Sequence, residues 1–129
     1  MSMFSSLFGS SENQNEQNSN VGWIALNNLS QLDEIVAQSS EQAVFIFKHS
    51  TRCGISRMVL KQFEKDFHHD IEVTPYFLDL LAHRNISNAI AERFGVEHQS
   101  PQLLLIKNGK SVYDASHSAI AVKDLEDKL

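Results

Sequence analysis

The 129-residue chain holds one cysteine, set in Lys48-His49-Ser50-Thr51-Arg52-Cys53-Gly54-Ile55-Ser56-Arg57. An apolar run, Ala43-Val-Phe-Ile-Phe47, precedes this stretch, and an amphipathic pattern follows from Gly54. The thiol therefore falls at an expected junction between a strand and a helix. A sulfur at the first turn of a helix meets backbone N–H groups that have no intrahelical acceptor, together with the positive end of the helix dipole. Both favour thiolate over thiol, and thiolate is the reactive form. Arg52 and His49 either add positive charge beside the sulfur or are solvated residues of an exposed loop; their types leave both readings open.

Composition narrows the chemistry further. A single cysteine permits no internal disulfide and no all-cysteine metal site within one chain. The formal net charge of −5 argues against nucleic acid or an anionic membrane as partner, since either needs a concentrated basic surface. The first Lys or Arg is Lys48, so the N-terminus lacks the charged region of a secretory signal, and no apolar run reaches membrane-spanning length. A reducing, cytoplasmic setting is expected. His68 and His69 are adjacent and have no completing carboxylate motif, so no metal site is expected. His83, His98 and His117 are scattered.

The elements that must position Cys53 can be read in order. Residues 1–20 are dominated by Ser, Asn, Gln and Gly and are expected to form a flexible tail, leaving 21–129 as one domain. Gly22–Leu26 reads as a short strand, and Ser30 as the cap of a helix carrying Leu32, Ile35 and Val36. Ala43–Phe47 suits a central strand covered on both faces. Ile55, Met58, Val59, Phe63 and Phe67 form an apolar stripe on a helix running to about His68. Glu72–Asp79 looks extended, with Pro75 at a strand beginning or an edge. Asn85 or Ser87 can cap a helix bearing Ile86, Ala89, Ile90 and Phe94, closed by Gly95. Gln102–Lys107 and Ser111–Ala115 flank Asn108-Gly109, which suits a type I′ hairpin turn. Ile120, Val122, Leu125 and Leu129 fit a last helix.

This β-α-β-α-β-α-β-β-α order, with cysteine after the second strand and an X-Pro before the hairpin, resembles the thioredoxin fold: an α/β architecture with a central mixed sheet and helices on both faces. Within it, Lys48–Ser56 and Ser100-Pro101-Gln102 resemble the bacillithiol-associated thioredoxin-like family, the YtxJ-type monothiol bacilliredoxins, over about residues 22–129. The resemblance implies a bacterial thiol-disulfide oxidoreductase that removes bacillithiol from protein mixed disulfides. It implies Cys53 as the attacking thiol and Pro101 as a cis-proline facing it, with Gly54, Ser56 and Ser100 in support. Ser56 stands where dithiol relatives carry a resolving cysteine, and could donate a hydrogen bond to the thiolate. Bacillithiol would be a co-substrate, with no tightly bound cofactor. A free thiol, or a dithiol or flavin-dependent reductase, would complete the cycle. Arg57, with Lys61 and Lys65 in a basic stripe at four-residue intervals, either meets the carboxylates of bacillithiol or is a plain solvated helix face; His49 and Arg52 are further candidates for binding the small thiol.

Two other readings compete. Arg52–Arg57 also resembles the Cys-Gly-Phe-Ser site of monothiol glutaredoxins, which carry iron–sulfur clusters between subunits. That likeness is local, because Ser100-Pro101 replaces Thr-Val-Pro, and Ala115–Ala119 replaces the Gly-Gly-x-Asp segment. The second alternative is a non-catalytic binding or redox-sensing module of the same fold.

Overall fold

In the computed structural model, which describes residues 21–129, the apolar run in the middle of the chain becomes the central strand of a five-stranded sheet. The expected tail, 1–20, lies outside the described residues. In chain order the elements are β1 (Ile24–Ala25), α1 (Gln31–Gln38), β2 (Val44–His49), α2 (Gly54–Asp66), β3 (Thr74–Asp79), α3 (Arg84–Phe94), β4 (Gln102–Lys107), β5 (Lys110–Ser116), a 3-10 turn (His117–Ala119) and α4 (Val122–Asp127). The sheet order is β1-β3-β2-β4-β5. β2 runs parallel to β3 and antiparallel to β4.

Side-chain alternation along β2 divides the core in two. Phe45 and Phe47 join Phe63 and Phe67 from the α2 side and Val122 and Leu125 of α4 on one face. Val44 and Ile46 join Leu32 and Ile35 of α1 and Ile86 and Ile90 of α3 on the other. Every residue of β2 is buried. Burial of each of its large apolar side chains contributes about 1.5–3 kcal/mol, which makes this strand the fixed reference for whatever follows it.

Trp23 ties α2 to the sheet. Its ring packs edge-on against Phe45 and Phe47, at 5.6 and 5.8 Å, and stacks on Phe63 at 6.2 Å. Its indole N–H donates to Glu64 Oε2 at 2.7 Å. The helix that begins at the cysteine is thus held against the sheet in its last turn.

Several elements differ in detail from their expected form. β3 starts at Thr74 rather than Glu72. The Thr74 N–H bonds Ala43 O on the β2 side, so Pro75, whose nitrogen carries no hydrogen, faces the opposite side, where β1 reaches only Tyr76 and Phe77. In α2 Ser56 and Phe63 are buried and Val59 and Leu60 pack against the core, whereas Ile55 and Met58 are 57% and 73% exposed. The expected stripe is therefore rotated at its N-terminal end. His83, and not Asn85 or Ser87, occupies the N-cap position of α3. At the other end Gly95 takes the left-handed conformation, φ 67°, which costs glycine little. Asn108 and Gly109 both have positive φ, 53° and 77°, as a type I′ turn requires.

Candidate functional site

β2 ends at His49, and the chain turns through Ser50–Cys53 before α2 begins at Gly54. Cys53 is the N-cap residue of α2, extended at φ −101° and ψ 118°. Its N–H donates to Ser50 O at 3.2 Å, and its carbonyl accepts the Arg57 N–H at 3.1 Å. The thiol is half-buried, beside a helix start whose first N–H groups lack intrahelical acceptors. Arg57 folds back so that Nη1 donates to Thr51 O at 3.0 Å, carrying its charge over the cysteine loop. A Cβ at Gly54 would come no nearer to a neighbour than 3.9 Å, at Arg57 Nη2. Glycine there is therefore not dictated by space. Arg52 is exposed.

Ser56 lies one turn into α2 and is fully buried. Its Oγ accepts the Ser50 N–H at 3.1 Å and lies 2.8 Å from His49 Nδ1. The hydroxyl and the imidazole are thus hydrogen-bonded to each other, and the same oxygen also satisfies the backbone. Burial holds the His49 pKa below its ordinary 6.5, against the opposing pull of Asp79 and Glu64. Its ring packs on Phe77 at 5.5 Å. The expected hydrogen bond from Ser56 to the cysteine is not formed, because the hydroxyl is turned inward to the imidazole. His49 is 5% exposed, too enclosed to meet the charged groups of an incoming thiol.

The second half of the site comes from the segment before β4. The Ser100-Pro101 peptide bond is cis. Gln102, the first residue of β4, pairs across the ladder with Lys48 of β2, which puts Ser100-Pro101 and the cysteine loop at the same end of the sheet. His117 N–H donates to Pro101 O at 2.9 Å, and the His117–Ala119 turn packs on α2. One turn thus braces both the proline segment and the cysteine helix. Ser100 Oγ is a buried hydroxyl with no hydrogen-bond partner among the described residues.

Sequence reasoning gave no role in the site to Lys48 or His98, read Ser87 only as a helix cap, and left His117 among the surface histidines. Lys48 is fully buried. Its position, two residues after Ile46 on an apolar strand face, was the available signal. Among the described residues no group of His, Cys, Asp and Glu is arranged to hold a metal ion, and no helix is long and apolar enough to cross a membrane.

With this geometry in view, comparison with known proteins is decisive at one level. The family model described as Monothiol bacilliredoxin BrxC matches residues 24–125. The chain belongs to the monothiol bacilliredoxin family. Among solved structures, this bacilliredoxin is similar to a protein described, provisionally, as an oxidoreductase with a thioredoxin fold. The identity is 30% and the TM-score 0.71, covering 81% of this chain and 91% of that one. It also resembles thioredoxin NaTrxh from Nicotiana alata, at 20% identity and TM-score 0.65 over 86% and 92% of the two chains. Thioredoxin O2 from Arabidopsis thaliana matches at 17% identity and TM-score 0.64 over 83% and 93%. The last two likenesses carry the fold alone. The bacilliredoxin thus has a thioredoxin fold and a thiol oxidoreductase role.

Proposed function

We propose that this bacilliredoxin removes bacillithiol from mixed disulfides on oxidised proteins, in a reducing cytoplasm, with Cys53 as the nucleophile. The observation that carries this reading is the pairing of one half-exposed thiol at a helix start with a buried serine three positions on, whose hydroxyl is already engaged. The Cys53 thiolate attacks the bacillithiol-side sulfur. A Cys53–bacillithiol disulfide forms, the original disulfide breaks, and the protein leaves as a thiolate that takes a proton from solvent. Ser56 offers no second sulfur. A bacillithiol thiolate therefore attacks the bacillithiol sulfur of the adduct, releasing Cys53 and yielding oxidised bacillithiol; a dithiol or flavin-dependent reductase is the other route back.

Ser100 and Pro101 would receive an extended substrate segment beside the sulfur, a β-augmentation contact through main-chain groups. The cis Ser100-Pro101 bond, at the same end of the sheet as the cysteine loop, supports that role. Arg57, exposed and anchored over the loop, is suited to carboxylates on the small thiol. The test is turnover of a bacillithiolated model protein by wild type and Cys53→Ser. Loss of activity in the variant is expected, and equal activity would exclude catalysis by this thiol.

A further inference from the structure

Lys48 is the least expected side chain in the core. It lies on the β2 face shared by Val44 and Ile46, is fully enclosed, and has no carboxylate at ion-pair distance among the described residues. Burying an ammonium without a counter-charge is costly, and an aliphatic side chain would fill the same face at lower cost. Stability therefore does not account for it. Its polar contact is His98 Nδ1, at 3.4 Å. The same nitrogen lies 3.1 Å from Ser87 Oγ on α3.

His98 belongs to the irregular segment between Gly95 and Pro101. A second buried polar residue grips that segment. Gln102, the cross-strand partner of Lys48, donates from Nε2 to Glu97 O at 2.9 Å and accepts the Gln99 N–H on Oε1 at 3.4 Å. Two facing residues at the end of the central ladder thus hold consecutive points of one loop. That loop runs directly into Ser100-Pro101, whose carbonyl is braced by His117.

We propose that Lys48 is a positioning residue: acting through His98, it holds the Glu97–Pro101 loop so that the Ser100-Pro101 backbone is set for the extended part of the substrate. This rests on the reading of that segment as the substrate strap. The charge states agree with the geometry. Burial lowers the Lys48 pKa to about 8, so the amine stays mainly cationic at neutral pH. His98 is held below its ordinary 6.5 by burial, Lys48 and Arg84, and so stays a neutral acceptor.

The test uses the full chain with Lys48→Met, His98→Leu and the double variant, assayed with a bacillithiolated model protein. Each single variant is expected to raise KM roughly tenfold, the loss expected for one charge-assisted hydrogen bond, with a smaller change in kcat. The double variant is expected to be no worse than either single one. Amide exchange at Gln99 and His117 is expected to quicken in all three. Wild-type KM and wild-type exchange in His98→Leu, a replacement in the loop and outside the sheet, would overturn the proposal even if Lys48→Met folded poorly. Should wild type prove inactive on the substrate, the proposed function fails, and exchange alone decides this inference: acceleration supports it, unchanged rates overturn it.

Discussion

His49 Nδ1 and Ser56 Oγ lie 2.8 Å apart, one at the end of the central strand and the other in the first turns of the cysteine helix. The contact closes the loop between them, because the same oxygen takes the Ser50 N–H. Position 56 thus serves as a clamp on the segment that carries Cys53.

Removing that hydroxyl strips a partner from the buried imidazole and from the partly buried Ser50 amide. Ser56→Ala is therefore expected to lower unfolding stability by about 1–3 kcal/mol. The midpoint of urea denaturation measures this, and a midpoint equal to wild type would show that no clamp exists. In mass spectra Cys53 of the variant is still expected to take one small-thiol adduct, since Ser56 supplies no sulfur.

The buried Lys48 leaves a signature in the pH dependence of stability. Its pKa falls from the ordinary 10.5 to about 8 on folding. Between those values the unfolded chain holds a proton that the folded chain has lost, so stability from this group rises as pH increases from 8 to 10.5. Below pH 8 the full cost of the enclosed charge is present. Unfolding measured across that window is expected to show this rise in wild type and to lack it in Lys48→Met. Parallel curves for the two proteins would contradict the burial of the charge.

Much of the fold is legible in the sequence because its signals are local. The run Ala43–Phe47 has no polar face, which suits a strand enclosed from both sides; Asn108-Gly109 and Gly95 mark backbone turns that few other residues accept. The site is legible only in part. Cys53 stands out by type and position and Pro101 by the family resemblance, but Ile55 and Met58 carry the same periodic signal as core residues and yet face solvent beside the cysteine. His49 and Lys48 look like loop polarity when read with Ser50 and Thr51. Alternation instead continues the strand through them, turning His49 to the side of Phe45 and Phe47 and Lys48 to the side of Val44 and Ile46. Their partners, Ser56 and His98, are brought to them by α2 and by the loop after α3, and no spacing along the chain announces either pair.

The central claim is that one sulfur takes bacillithiol and lets the protein go. Intact-mass analysis, after brief mixing with a bacillithiolated protein and acid quenching, tests it directly. One bacillithiol bound at Cys53, matched by an equal amount of freed protein thiol, is the expected result. An unmodified Cys53, or Cys53 joined to the substrate protein in place of bacillithiol, would contradict it.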